Sequence, residues 1–172
     1  MNGQTIIVPE YKDVQGPLVF LAGPIQGAED WQSKAIDILR ENAPDLHIAS
    51  PRWNKVYKEG EFTQKMYEEQ VDWETHYLQR AAGNGGIMFW LAKEKEHFCH
   101  RAYAQTSRVE YGEWINELKH KPAINIMMGI EKGYTGEKYI RYRFEERLGK
   151  ICSSLEETCL RAVKEIYDHL SA

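Results

Sequence analysis

Short apolar runs alternate with longer amphipathic stretches along this chain. Leu18–Ala22 and residues 46–50, 87–91 and 123–128 are compact and mostly apolar, and each is followed by a turn or a polar segment. Runs of this length without regular polar positions are typical of strands buried in a parallel sheet. The pattern therefore predicts four buried strands. Residues 139–144 fit either a fifth strand or a helical turn.

Between the apolar runs, apolar residues recur at helical spacing. Asp30 is a candidate N-cap for a first helix, and Ser154 with Glu157 forms a capping box that opens the last one. The stretch 62–82 carries apolar positions on more than one face, which indicates a helix covered by other parts of the protein or by a second subunit. Another helix is predicted over residues 108–118.

Strands that alternate with helices predict an α/β fold, here a doubly wound parallel sheet of about five strands in a single domain. Residues 1–17 look like a polar N-terminal lead-in, and residues 18–172 like the domain. Ligands of such sheets bind beyond the carboxyl ends of the strands, near the point where the strand order reverses. The polar segment 92–105 follows one of these ends, and it is too long for a plain connector.

Composition excludes several classes of partner. The formal net charge is −4 and the basic residues are dispersed, which argues against binding to a nucleic acid polymer. No stretch resembles a secretory signal or a membrane span. Three irregularly spaced cysteines indicate a reducing compartment, so we expect a cytoplasmic protein. The histidines and the cysteine at 97–100 are too close together for a usual zinc site, and we expect no metal or cofactor.

Candidate chemistry centres on Glu110, which lies about one turn inside a predicted helix whose start carries two hydroxyl residues, Thr106 and Ser107. The first turn of a helix presents unpaired N–H groups and partial positive charge. A glutamate there is expected to stay ionised and to be held in a fixed direction, which suits an attacking carboxylate. Ser107 with Glu110 also fits the S-x-x-E capping box of many ordinary helices.

Four segments, taken in order, resemble the nucleoside 2-deoxyribosyltransferase-like family. They are Val19-Phe20-Leu21-Ala22-Gly23-Pro24-Ile25 with Trp31, Ser50-Pro51-Arg52, Gln70-Val71-Asp72-Trp73-Glu74, and Ile87-Met88-Phe89-Trp90 leading to Thr106-Ser107-Arg108-Val109-Glu110-Tyr111-Gly112. The resemblance implies a flavodoxin-like domain that works as a dimer or higher homo-oligomer. It also implies a transferase or hydrolase that cleaves the N-glycosidic bond of a (deoxy)nucleoside or its 5′-monophosphate.

The resemblance further implies roles for individual residues. Glu110 would be the nucleophile, and Ser107 would line the sugar. The turn formed by Ala22, Gly23 and Pro24 would lie beside base and sugar. Gln105, which can hydrogen-bond a hydroxyl, and Thr106 are neighbouring candidates for substrate binding.

The leaving base needs a proton, and the polar and aromatic residues of these segments supply further candidates. Glu74 is a candidate acid because the adjacent Trp73 could desolvate it and raise its pKa, although a solvated helix glutamate is the plainer interpretation. Trp90 is the candidate stacking surface for the base, with core packing as the alternative. Arg52 is the candidate for a 5′-phosphate, with a surface salt bridge as the alternative.

Two departures from the family pattern leave other functions open. Many transferases of the family carry an Asp at the start of the third strand, and this place falls on Asn84 or Gly85 here. The classical members carry another Asp a few residues before the glutamate, where this chain has Ala104 or Gln105. A catalytically silent nucleotide-binding module of the same fold is therefore the alternative. An unrelated flavodoxin-like domain that binds a partner protein is a third interpretation.

Overall fold

The computed structural model describes residues 2–55 and 61–171, and within them five strands alternate with five helices. The strands are β1 (Thr5–Ile7), β2 (Leu18–Ala22), β3 (His47–Ser50), β4 (Gly85–Leu91) and β5 (Ile126–Ile130). The helices are α1 (Trp31–Asn42), α2 (Gln64–Gly83), α3 (Gln105–Glu117), α4 (Glu137–Leu148) and α5 (Leu155–Leu170). None of the helices in these two ranges is long and apolar enough to cross a membrane.

The strands form one parallel sheet in the order β1-β3-β2-β4-β5. Phe20 in β2 pairs with Ala49 of β3 on one side and with Ile87 of β4 on the other. The chain therefore moves outward from β2 to β3 and then crosses back to β4, so the strand order reverses at β2. This arrangement confirms the predicted flavodoxin-like, doubly wound α/β fold.

Helices cover both faces of the sheet, and the alternation of side chains along β4 separates two cores. Phe89 packs on the face covered by α2 and α3, in a cluster that includes Trp73 and Ile115. Trp90 packs on the opposite face against α1 and α5, in a cluster that includes Trp31. Since both faces are buried, β4 is apolar at nearly every position, as expected for a central parallel strand.

N-cap side chains explain where helices α1 and α5 begin. The Ser33 N–H donates to the Asp30 carboxylate at 3.1 Å at the start of α1. The Glu157 N–H donates to Ser154 Oγ at 3.2 Å at the start of α5. Both N-cap predictions are confirmed, and each cap satisfies an N–H that the helix cannot pair internally.

The structure differs from the sequence prediction in the N-terminal stretch, and it decides what residues 139–144 form. The stretch predicted to be a polar lead-in contains β1, an edge strand that pairs with β3 and buries Ile6 completely. Residues 139–144 lie within α4 and not in a fifth strand. The fifth strand of the sheet is therefore contributed by the N-terminal stretch.

Candidate active site

A cavity of ≈ 820 Å³ opens at the carboxyl edge of the sheet, beside the point where the strand order reverses. Its walls are the turns after β2 and β3, one side of α2, the end of the 92–104 connection and the first turns of α3. The volume falls in the range of small-molecule sites. All of the predicted site residues except Trp90 line it, namely Ala22, Gly23, Pro24, Arg52, Glu74, Gln105, Thr106, Ser107 and Glu110.

Trp90 does not line the cavity, and the prediction that it forms a stacking surface there is wrong. Its side chain is 5% exposed and belongs to the core on the α1 and α5 face of the sheet. Successive residues of a strand point to opposite faces, so Phe89 and Trp90 cannot both face the cavity side. The sequence of an unbroken apolar strand does not show which of its residues face the cavity side.

Glu74 and Glu110 come together in the cavity from two different helices. Glu74 lies on α2 and Glu110 on α3, and their carboxyl groups are in hydrogen-bonding contact. Burial, the charge of Glu74, the hydrogen bond with Glu74 and the charge of Glu113 raise the pKa of Glu110 to about 8. Burial also raises the pKa of Glu74, against the opposing effect of hydrogen bonds from Gln70 and Glu110. Near neutral pH the pair therefore holds one proton.

The expectation that Glu110 simply stays ionised at the helix start is wrong for the same reason. The partial charge of a helix N-terminus acts mainly within the first turn and contributes about 1 kcal/mol. Glu110 lies in the second turn of α3, where burial and the adjacent Glu74 carboxyl have the larger effect and act in the opposite direction.

The start of α3 also excludes the capping-box interpretation of Ser107 and Glu110. The N-cap is Ala104, in the left-handed conformation with φ = 54°, and no side chain caps this helix. Ser107 lies inside the first turn, is 5% exposed, and lines the cavity. Gln105 and Thr106 are exposed at the same end of the helix, so this turn presents three polar side chains around the cavity.

Gln70, at the start of the Gln70–Glu74 segment, is a further polar residue of the cavity. Its Nε2 donates to Oε1 of Glu74 at 2.7 Å, and its Oε1 accepts from Nε1 of Trp53 at 2.7 Å. Gln70 and Glu74 are four residues apart on α2 and therefore share one face of the helix. That spacing was visible in the sequence. The partner Trp53, from the turn after β3, was not predictable.

Arg52 lines the cavity and is held by several neighbours. Its Nε donates to Gln32 Oε1 at 2.8 Å and lies 3.2 Å from Asp30 Oδ1. Its Nη2 donates to the carbonyls of Ile25 at 3.3 Å and Glu29 at 3.1 Å. Arg52 thus links the turn after β2 to the start of α1. It forms the predicted salt bridge and also lines the cavity, so the two interpretations of this residue are compatible.

The aromatic side chains that line the cavity include Trp53, Phe62, Tyr67 and Phe98. Trp53 and Phe62 meet edge to face with ring centroids 6.0 Å apart. Trp31 and Trp73 are core residues whose indole N–H groups donate to backbone carbonyls at 2.8 and 2.6 Å.

The histidines and Arg101 of the 92–104 connection divide between the cavity and the protein surface. His100 and Arg101 line it, whereas His97 is exposed and contacts Glu94. Within residues 2–55 and 61–171, no group of His, Cys, Asp and Glu side chains has an arrangement that suits a metal ion.

A comparison with protein-family models places these elements in a wider group. A model described as "Nucleoside 2-deoxyribosyltransferase like" matches residues 16–129 of the 172. The matched range contains β2, β3 and β4, helices α1 to α3, and most of β5, and so includes both cavity glutamates. A search of curated proteins gave no match.

Proposed function

The chain belongs to the nucleoside 2-deoxyribosyltransferase-like family, and from that premise we propose that it cleaves the N-glycosidic bond of a (deoxy)nucleoside or its 5′-monophosphate. The observation that carries the proposal is the contact between the Glu74 and Glu110 carboxyl groups inside a cavity that is large enough for a nucleoside. A pair that shares one proton supplies both groups the reaction needs, an attacking carboxylate and an acid.

In the first step, an ionised oxygen of Glu110 attacks the anomeric carbon of the sugar. The glycosidic C–N bond breaks, its electron pair leaves with the base, and Glu74 gives the base a proton. The sugar is then held as an ester of Glu110. A close carboxylate also stabilises the positive charge that develops on the sugar in the transition state.

In the second step, water or another base attacks the same carbon. The ester C–O bond breaks and its electrons return to Glu110, while the attacking group gives a proton to Glu74. Retaining glycosidases place their two carboxyl groups about 5–5.5 Å apart, and inverting enzymes leave room for a water between them. The direct contact of Glu74 and Glu110 therefore favours the covalent route.

The aromatic lining of the cavity supports a planar ligand group. Trp53 and Phe62 form one wall, and Tyr67 on α2 is 52% exposed on the cavity side. Exposed rings of this kind can stack on a base or cover its edge. We assign the base to this wall and the sugar to the region of Ser107 and the turn at Gly23 and Pro24.

Basic side chains around the cavity support an optional 5′-phosphate. Arg52, Lys55, His100 and Arg101 line the cavity on the turn after β3 and on the 92–104 connection. A guanidinium is suited to paired hydrogen bonds with phosphate oxygens. The monophosphate is therefore a substrate to be tested together with the free nucleoside.

We further propose that the enzyme is a cytoplasmic homo-oligomer. Phe62, Tyr67 and Val71 are 37%, 52% and 41% exposed along one side of the cavity. A second copy that covered this side would remove apolar surface from water and help to close the site. Light scattering coupled to size-exclusion chromatography measures the molecular mass in solution and so tests the oligomeric state.

The alternative is a catalytically silent nucleotide-binding module, which the missing family Asp residues favour. Asn84 and Gly85, where one Asp was expected, lie at the opposite edge of the sheet from the cavity. Their identity therefore has little bearing on proton transfer inside the cavity, and Glu74 is available there as the acid.

The test is release of free base, followed by chromatography, from a panel of nucleosides and their 5′-monophosphates. Glu110→Gln should reduce release by about 10³-fold or more, because it removes the nucleophile. Glu146→Gln, an exposed change on α4, is the matched control and should retain activity. Binding without release by the wild-type protein would support the silent module. Adding a second base and looking for a new nucleoside separates transferase from hydrolase.

A further inference from the structure

We propose that Gln70 is a positioning residue that orients Glu74 and directs the shared proton of the pair onto Glu110. The inference deepens the proposed function and rests on it for the catalytic meaning of the pair. Its basis is a hydrogen-bonded chain from Trp53 through Gln70 to Glu74, with both bonds at 2.7 Å.

The Trp53 indole, the first group in this series of hydrogen bonds, determines which group donates in each bond. An indole N–H can only donate, so the Gln70 oxygen faces Trp53 and the Gln70 NH₂ faces Glu74. An N–H donor stabilises the ionised form of a carboxyl more than its neutral form. The chain therefore favours negative charge on Glu74.

Glu110 has the opposite surroundings. The charged side chains that raise its pKa, Glu74 and Glu113, are both carboxyl groups. With a donor on one member of the pair and repelling charges around the other, the proton resides on Glu110 in the free enzyme. The future nucleophile thus rests in its neutral form.

The consequence is one proton transfer before the attack on the sugar. The O–H bond of Glu110 breaks and an O–H bond forms on Glu74, with no other change in composition. This single transfer creates the attacking carboxylate and the acid for the leaving base together. Gln70 keeps Glu74 in place throughout, because an amide N–H can donate to a neutral carboxyl oxygen as well as to an ionised one.

Other charged groups face the pair and must be separated from the effect of Gln70. They are Glu113 on α3 and the cavity residues Arg52, Lys55, His100 and Arg101. A change at Gln70 leaves all of them in place. The matched control is Gln79→Leu, the same chemical change at an exposed position on α2 that lies outside this cavity.

The experiment is the pH profile of kcat/KM for base release by Gln70→Leu. This quantity reports the ionisations of the free enzyme. If the proton rests on Glu110, the acid limb belongs to Glu74, and loss of its donor moves that limb up by about one pH unit. The alkaline limb belongs to Glu110 and stays in place. Trp53→Phe, which frees the amide to rotate, should move the acid limb in the same direction by less.

Two results would overturn the inference. Movement of the alkaline limb alone would mean that the proton rests on Glu74. A lower rate at every pH with both limbs unmoved would mean that Gln70 only fills space. Gln79→Leu should reproduce the wild-type profile, and circular dichroism should show that each variant is folded.

A second measurement separates failure of this inference from failure of the proposed function. If the wild-type protein releases no base, the carboxyl groups are titrated by NMR with carbon-13 in the glutamate side chains. Glu74→Gln and Glu110→Gln assign the two signals. We expect Glu110 to hold its proton to higher pH than Glu74, and Gln70→Leu to raise the pKa of Glu74. The reverse order, or no response of Glu74, would exclude the assigned role.

Discussion

The carboxyl groups of Glu74 and Glu110 meet in hydrogen-bonding contact although they belong to helices on either side of β4 in the sequence. Two carboxylates at this distance cannot both ionise without a large electrostatic cost, so they titrate as a pair with one proton retained near neutral pH. The activity and the stability of the protein should both depend on that proton.

Base release should follow a bell-shaped pH profile with its alkaline limb near pH 8. Below the acid limb both glutamates are protonated and no nucleophile is present. Above the alkaline limb, which follows the raised pKa of Glu110 of about 8, both are ionised and the leaving base lacks an acid. Steady-state kcat/KM measured from pH 4 to pH 10 tests this. Full activity at pH 10 would show that the pair does not supply the proton.

Glu110→Gln should stabilise the fold at high pH. A carboxyl whose pKa is raised on folding retains its proton in the native state while the unfolded chain loses it. Stability therefore falls as pH rises from the unfolded pKa of 4.5 to about 8. The glutamine avoids this loss and can donate to Glu74, so the free energy of unfolding at pH 9 should rise by on the order of 3 kcal/mol.

Urea unfolding at pH 4 and pH 9 measures the effect, which should be small at pH 4. The exposed Glu146→Gln provides the comparison and should show similar changes at both pH values. Equal effects of Glu110→Gln at the two pH values would contradict a raised pKa.

Trp53 and Trp90 should behave differently when replaced by leucine. Trp53 lines the cavity, so Trp53→Leu should raise KM by about tenfold, the loss of one aromatic contact with a base. Trp90 lies in the opposite core, so Trp90→Leu should leave KM near the wild-type value and lower the free energy of unfolding by about 3 kcal/mol. Kinetics and urea unfolding on both variants provide the test. If KM rose in Trp90→Leu and not in Trp53→Leu, the assignment of the base to the Trp53 wall would be wrong.

Gly129 and Gly112 should respond oppositely to alanine. A Cβ at Gly129 would lie 2.0 Å from Thr158 Oγ1 and 2.7 Å from the Trp90 ring, so Gly129→Ala should destabilise by about 1–3 kcal/mol. A Cβ at Gly112, inside α3, meets no atom within 4 Å. Gly112→Ala should therefore stabilise by about 0.5–1 kcal/mol, because alanine loses less conformational entropy in a helix. Thermal or urea unfolding distinguishes the signs.

The parts of the fold that were predicted correctly depend on local signals. β2 was bounded by an apolar run with Gly23 and Pro24 after it, and the caps at Asp30 and Ser154 act through groups within three residues. β1 was missed because it has only three residues, of which Ile6 alone is fully buried. A short edge strand gains its stability from the neighbouring strand and carries little pattern of its own.

The parts of the site that were missed depend on contacts between distant segments. The face to which Trp90 points is set by how β4 packs between two helical layers. The role of Gln70 needs Trp53, which reaches it from the turn after another strand. The ionisation of Glu110 depends on Glu74, which reaches it from α2 and is not visible from the residues at the start of α3.

The two glutamates stand on helices, whereas Phe98, His100 and Arg101 reach the cavity from the single connection between β4 and α3. That connection can be lengthened, shortened or recomposed while the helix positions of both acids are kept. Changes confined to this one segment would therefore alter which ligands the cavity accepts and leave the two carboxyl groups where they are.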